Sequence, residues 1–119
     1  MIIGGDGADS LSGGAGQDMI VAGSLSLDYF GEEEPPGIFQ VWEQWRTSDP
    51  IETRVDYLTG AQTGGVIDPE FVLVPGTTVL NDGAVDTVLG GGDEDWLVYD
   101  FDTDVASDYT PGTDLRMDL

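Results

Sequence analysis

A nine-residue pattern repeated end to end constrains this chain more than any other feature. Residues 4–21 are two copies of G-G-x-G-x-D-x-U-x, in which U is a large apolar residue. The glycines leave the backbone free for a tight turn with positive φ angles. An aspartate ends each turn, and a short strand with one apolar side chain follows, Leu11 in the first copy and Ile20 in the second. One such unit cannot bury its apolar side chain alone, so the pattern predicts a fold in which successive copies stack.

The same frame returns near the other end of the chain. Residues 81–89 (NDGAVDTVL) and 90–98 (GGGDEDWLV) also lie end to end, with Asp86 and Asp95 at the aspartate position. Four copies in two phased pairs are stronger evidence of a repeat than one nonapeptide in a glycine-rich chain. The glycine positions are less complete in the later copies, where they hold Asn81, Asp82, Ala84 and Asp93. The frame predicts that six apolar side chains point into a shared core: Ile2, Leu11, Ile20, Val79, Val88 and Leu97.

The charge of the chain limits its partners. The chain has three basic residues, 24 acidic residues and no histidine, so its net charge is −21. Nucleic acid is excluded as a partner, because phosphate binding requires a basic surface, and anionic membrane surfaces are disfavoured for the same reason. Self-repulsion of this size opposes a compact state unless cations neutralise it. An acidic disordered tail is the alternative, but the phased apolar positions, three tryptophans and four phenylalanines argue against it.

The length and the remaining composition limit the kind of core that this chain can form. At 119 residues it has the length of one domain, and with 39% apolar residues and 18 glycines we expect a thin, repetitive core. Cysteine is absent, which excludes disulfides and zinc sites of the Cys/His type. No apolar run approaches the ~20 residues of a membrane span, and the N-terminus shows no cleavable signal peptide.

The middle of the chain departs from the repeat frame. The segment 31–37 (GEEEPPG) interrupts the chain with prolines and charges. Apolar residues at helical spacing predict a short helix over 38–46, and alternation of apolar and polar residues predicts a half-buried strand over 51–58. We expect the helix to cover an end or a side of the stacked repeats. The predicted organisation is one domain, 1–119, with repeats at 2–21 and 77–98, an inserted lobe at 22–76, and a tail at 99–119 that ends in a strand.

The nonapeptides resemble those of the RTX (repeat-in-toxin, haemolysin-type) family of secreted bacterial proteins, over residues 2–21 and 79–98. The stretch 104–114 (DVASDYTPGTD) is similar to the segment that follows such repeats in secreted proteases and adhesins, with Ala106 where the family has isoleucine. Residues 42–58 are similar to a segment of very large bacterial surface proteins. The resemblance implies the C-terminal portion of a large secreted protein, located outside the cell or at the cell surface.

The resemblance also implies a fold and a function. The implied fold is all-β, a short parallel β-roll interrupted by an inserted lobe with one short α-helix. Turns alternate between two sides of the roll, and Ca²⁺ lies between neighbouring turns on one side. The implied function is that of a calcium-dependent structural module, not an enzyme, which folds outside the cell and supports secretion or anchoring of the rest of a larger secreted protein. The implied ligands are four carboxylates and the backbone carbonyls of the turns: Asp9, Asp18, Asp86, Asp95, Gly4, Gly5, Gly7, Gly13, Gly14, Gly16, Asn81, Gly83, Gly90 and Gly92.

The register of the turns has two solutions. If the inserted lobe takes the place of one turn, Asp18 and Asp86 share an ion; this is the register that we predict. If the lobe replaces no turn, Asp9 pairs with Asp86 and Asp18 pairs with Asp95.

Each candidate site has a plainer interpretation. In the plainer interpretation the four repeat aspartates serve only to cap their turns, but the nine-residue phasing beside glycines favours calcium. For Asp6, Asp82, Asp93 and Glu94 a solvated face is favoured. Asp100, Asp102 and Asp104 imitate the start of an EF-hand loop, but the glycine and the glutamate of that loop are missing, so we interpret them as an exposed strand edge with at most one weak ion.

An enzyme and an adhesive module are the two alternative functional classes. Without histidine or cysteine, Ser-His-Asp and Cys-His catalysis are excluded, and Glu43 and Glu52 are the only acidic candidates near aromatic residues for glycoside hydrolysis. The stronger alternative is a carbohydrate-binding or adhesive module for cell-surface glycans that uses Trp42, Trp45 or Trp96. Tryptophans at helical spacing are more often core residues, and exposure of the rings separates these two interpretations.

Overall fold

The structure, a computed structural model, describes residues 1–27 and 36–119. The predicted break at 31–37 therefore lies largely outside the described residues. The described part contains eight strands and two α-helices: β1 (Ile2–Ile3), β2 (Ser10–Gly14), β3 (Met19–Val21), β4 (Ser24–Leu25), α1 (Gly37–Trp45), α2 (Ile51–Thr59), β5 (Val79–Leu80), β6 (Thr87–Gly91), β7 (Trp96–Tyr99) and β8 (Leu115–Asp118). A 3-10 helix at Pro69–Phe71 follows the second α-helix.

The nonapeptide strands form two parallel sheets. The larger sheet has the order β1-β3-β7-β8, with all neighbours parallel, and the smaller sheet pairs β2 with β6 in parallel. Val105 extends the smaller sheet by an isolated parallel bridge to Thr87. Successive nonapeptides therefore alternate between the sheets, and the predicted terminal strand is confirmed as β8.

The lobe leaves and rejoins the stack through a short stem. β4 and β5 pair antiparallel, with Ser24 opposite Leu80 and Leu25 opposite Val79. Between them lie α1 and α2, which pack against each other and against the larger sheet. Because the stem places the two ends of the lobe side by side, the chain re-enters the stack where it left it.

The strand predicted over 51–58 is wrong, because this segment forms α2. Ile51, Val55 and Tyr57 fit an alternating pattern, while Ile51, Val55 and Leu58 lie at i, i+4 and i+7 of a helix. A window of eight residues does not separate the two patterns. The flanking residues fit a helix. Pro50 precedes its first turn, and Gly60 ends it in the left-handed conformation with φ 79°.

The all-β roll with one helix is therefore wrong as a fold class. The protein is a small α/β domain with two α-helices and a mixture of parallel and antiparallel sheets. Repeat periodicity describes only the repeats, and the lobe between them contributes both helices and the antiparallel pair.

The domain has three layers. The inner face of the larger sheet packs on the smaller sheet through a core that includes Leu11, Ile20, Val88 and Leu97. Its outer face packs on the helices through a second core that includes Met19, Val21, Trp96 and Val98. The prediction that a helix covers a side of the repeats is confirmed, and the rings of Trp45 on α1 and Trp96 on β7 lie 6.2 Å apart.

The predicted core frame holds for the strands. Leu11, Ile20, Val79, Val88 and Leu97 are buried, and Ile2 at the edge is half-buried. Val79 differs from the others because it packs in the core beneath the helices and not between the two repeat sheets.

Candidate metal-binding turns

The turns between strands form two columns, one on each side of the stack. The first column contains turns 4–9 and 81–86, and the second contains turns 13–18 and 90–95. The strand pairing fixes this arrangement, because Ser10 lies opposite Thr87 and Met19 lies opposite Trp96. All the glycines proposed as ligands, and Asn81, belong to these four turns.

The predicted register, in which Asp18 and Asp86 share an ion, is wrong. Asp86 lies beside Asp9, and Asp95 lies beside Asp18, which is the rival register. The stem formed by β4 and β5 explains the result, because it closes the lobe without advancing the chain along the stack.

A repeated hydrogen bond joins neighbouring turns of a column. In the first column the backbone N–H of Asp9 donates to Oδ1 of Asp86 at 2.7 Å. In the second column the N–H of Asp18 donates to Oδ1 of Asp95 at 2.8 Å. Each bond spans 77 residues of sequence, so the inserted lobe leaves the two columns with the same geometry.

The tail adds a third carboxylate to each column. The N–H of Asp86 donates to Oδ1 of Asp104 at 2.9 Å, and the N–H of Asp95 donates to Oδ1 of Asp114 at 3.2 Å. The interpretation of Asp100, Asp102 and Asp104 as an exposed strand edge is therefore wrong, because they lie in a turn and Asp104 is a half-buried member of the first column. Asp114 was missed as a column residue. The available signal was spacing, since 18 residues, two nonapeptides, separate Asp86 from Asp104, whereas the 19 residues between Asp95 and Asp114 break the frame by one.

Three carboxylate oxygens in the columns are buried without a hydrogen-bond partner. They are Oδ2 of Asp9, Asp18 and Asp95. Asp95 is completely buried, at 0% exposure. A buried anionic oxygen without a partner is costly, so such oxygens need a cation, a proton or a bound water to satisfy them. By contrast, both oxygens of Asp104 and of Asp114 accept backbone N–H groups.

Glycine is required where these carboxylates fold back against their own turns. A Cβ on Gly13 would lie 2.5 Å from Oδ2 of Asp18, and a Cβ on Gly90 would lie 2.3 Å from Oδ2 of Asp95. Both distances are too short for any side chain. The leading glycine of the nonapeptide therefore makes room for the carboxylate that ends the same turn.

Two aspartates that replace glycine in the later copies form hydrogen bonds to the neighbouring turn. Asp93 adopts φ 72°, close to the left-handed conformation of glycine in the same position of the earlier copies, and its Oδ2 accepts the N–H of Gly16 at 3.1 Å. Asp82 accepts the N–H of Gly7, and this bond, after that from Ala84, lowers the pKa of its carboxyl. Both side chains are exposed, as predicted, and both also bind the neighbouring turn.

The columns bring like charges together. Burial raises the pKa of Asp86 and of Asp95 above the ordinary carboxyl value, and the hydrogen bond from the preceding turn offsets part of that effect. The nearby carboxylates of Asp104 and Asp114 raise these two pKa values further. The columns are therefore the places where a cation relieves most electrostatic cost.

The residues present fit a calcium ion held mainly by oxygen atoms of stacked turns. Within residues 1–27 and 36–119, no group of three or more acidic side chains forms a ready metal cluster. Calcium takes 6–8 oxygen ligands and accepts backbone carbonyls and water alongside carboxylates. Each pair of turns offers carboxylates and glycine-rich backbone, so Asp9 with Asp86, and Asp18 with Asp95, are the side chains that would hold an ion.

The tryptophans divide into buried and exposed ones. Trp45 and Trp96 are core residues, at 5% and 0% exposure, whereas Trp42 is 37% exposed and lies 5.3 Å from the ring of Phe39. An adhesive surface would therefore have only Trp42 among the three. Of the acidic residues considered for hydrolysis, Glu43 pairs with Arg46 at 3.7 Å and Glu52 is exposed on α2.

Comparison with known proteins finds no matching family model, no matching curated protein and no matching solved structure. Over the residues that the structure describes, no helix has the length and apolar character needed to cross a membrane. Function therefore has to be inferred from the geometry of the turns.

Proposed function

We propose that this chain is a calcium-binding structural module of the RTX type, which folds on calcium outside the cell as part of a larger secreted protein. The observation that carries the proposal is the set of three buried carboxylate oxygens without a partner, on Asp9, Asp18 and Asp95. They occur where glycine-rich turns stack, in a chain whose net charge is −21.

The proposal specifies two calcium sites, one in each column. Asp9 and Asp86 contribute to the first, and Asp18 and Asp95 contribute to the second. The third carboxylate of each column is satisfied by backbone N–H groups and closes the column without a cation. Because the ions bind the folded state, they stabilise it by mass action, and the calcium-free chain should be largely unfolded at neutral pH and low ionic strength.

Calcium titration tests this proposal directly. Calorimetry and far-ultraviolet circular dichroism should show uptake of two ions with a dissociation constant on the order of 10⁻⁴ to 10⁻³ M, together with a gain of structure. Magnesium at the same concentration should produce much less, because it demands a smaller and more rigid octahedral site. A cooperatively folded chain in calcium-stripped buffer at low ionic strength would refute the proposal, and so would a chain that takes up no calcium.

Substitution by asparagine separates a metal ligand from a turn cap. Asp18→Asn keeps an oxygen that accepts hydrogen bonds and caps a turn, but it removes the anionic charge. We expect Asp18→Asn to abolish one of the two calcium ions. Asp56→Asn is the matched control, since it removes one carboxylate from the exposed face of α2 and should leave both ions bound.

A further inference from the structure

Arg54 connects the helical lobe to the second column of turns. It lies on α2 and is only 6% exposed. Its Nη1 donates to the backbone carbonyl of Trp45 at 2.9 Å, and its Nη2 donates to Oε1 of Gln17, in the turn that ends at Asp18. The guanidinium also lies over the ring of Trp45, 4.6 Å from its centre.

Gln17 extends this connection to the next turn of the column. Its Nε2 donates to Oε2 of Glu94 at 2.9 Å, and Glu94 precedes Asp95 in the chain. One side chain of the lobe, Arg54, is thus linked through Gln17 to the two turns whose carboxylates form the proposed second site.

Charge reinforces the geometry. Burial lowers the pKa of Arg54, whereas the carboxylates of Asp49, Glu94 and Glu52 raise it and so favour the charged form. A buried guanidinium is stabilised by hydrogen bonds from its donors and by anions nearby. Its Nε has no partner, so the interactions with Trp45 and Gln17 hold it in place.

We infer that Arg54 is a positioning residue for the second calcium site and couples calcium binding there to docking of the helical lobe. The inference rests on the proposed function. Calcium between turns 13–18 and 90–95 fixes the distance between Gln17 and Glu94. Gln17 is then held where its Oε1 accepts the hydrogen bond from Arg54. By reciprocity, a docked lobe raises calcium affinity in the second column and leaves the first column unaffected.

The test measures each site alone. Asp18→Asn leaves the first site, and Asp9→Asn leaves the second, so calcium affinity is measured by calorimetry in each background with and without Arg54→Gln. We expect Arg54→Gln to lower affinity at least about fivefold more in the Asp9→Asn background than in the Asp18→Asn background, the lower end of typical coupling. An equal loss in both backgrounds would reduce Arg54 to a general stabilising residue and overturn the inference.

Three controls sharpen the result. Arg46→Gln removes the same charge from an exposed position of the lobe and should change neither site. Val88→Ala cuts into the core between the two repeat sheets, away from the lobe, and should weaken both sites equally. Arg54→Lys keeps the charge but cannot reach two acceptors as a planar fork, so full rescue by lysine would contradict a positioning role.

Two further outcomes are decisive. If Arg54→Gln does not fold, Gln17→Ala removes the same connection from the exposed turn and should show the same preference for the second site; a Gln17→Ala protein with unchanged second-site affinity overturns the inference. If the unsubstituted protein binds no calcium, the proposed function itself fails, and the coupling fails with it.

Discussion

The two repeat sheets come from the same nonapeptide but differ in what covers them. The centre of the larger sheet is buried on both faces, since every residue of β3 and β7 is buried, whereas its edge strand β8 exposes alternate residues. The smaller sheet exposes one face, and only Leu11 in β2 and Val88 with Gly90 in β6 are buried. Both sheets share the core between them, so the difference lies only on their outer faces.

The residues that flank the apolar position explain this difference. In β2 they are Ser10 and Ser12, whereas in β3 they are Met19 and Val21. Serine is stable on a solvated face, but methionine and valine require cover. The repeat frame therefore specifies the inner core, while the flanking residues determine which sheet receives the helices.

The largest effect should come from the covered face. Trp96 is completely buried between β7 and the lobe, against Trp45. We expect Trp96→Ala to lower the free energy of unfolding by about 3–5 kcal/mol, the usual cost of removing a buried aromatic ring. Denaturant unfolding in saturating calcium measures it. A cost below about 1 kcal/mol would mean that the lobe does not depend on this face.

A pH titration of folding tests whether the stacked carboxylates of both columns, or burial of the larger sheet by the lobe, cause the pH dependence of stability. Asp86 and Asp95 have pKa values raised by burial in the folded state. A raised carboxyl pKa favours folding below the unfolded value, about 3.9 for aspartate, and this contribution is lost as the pH rises through the folded pKa. We therefore expect the calcium-free chain to become more folded as the pH falls from about 7 to about 4, measured by circular dichroism.

Two substitutions locate the origin of that effect. Asp86→Asn acts before β6 of the open sheet, and Asp95→Asn acts before β7 of the covered sheet. If both substitutions flatten the dependence of the folded fraction on pH, the carboxylates of both columns cause it. If only Asp95→Asn flattens it, burial of the larger sheet by the lobe causes it. Asp82, whose pKa is lowered, opposes the trend, but its exposure keeps its contribution small. A folded fraction that falls on acidification would contradict the prediction.

The smallest effect should come from the open face. Ser12 is exposed on the outer face of β2, at the position of the frame that Val21 occupies in β3. We expect Ser12→Val to change the free energy of unfolding by no more than about 0.5 kcal/mol, as is usual for surface substitutions. The same denaturant experiment applies. A clear loss of stability would show that an unrecognised contact covers this face.

Several features followed from the sequence because they depend on local chemistry. The phased glycines, aspartates and apolar residues predicted the stacked strands, and they predicted the burial of Leu11, Ile20, Val88 and Leu97. A repeat carries this information in each copy, since every copy has to present its apolar side chain to the same core. The covering helix was predicted for a similar reason, from apolar residues at helical spacing.

Other features were decided only by contacts between distant residues. The pairing of Asp9 with Asp86 and of Asp18 with Asp95 depends on the antiparallel stem, which is formed by two strands of two residues each that are distant in sequence. The structure of 51–58 depended on packing and on the boundaries at Pro50 and Gly60, because its pattern suited a strand and a helix equally. The connection from Arg54 through Gln17 to Glu94 has no sequence signature, since polar contacts across 37 and 77 residues follow from the fold and not from spacing along the chain.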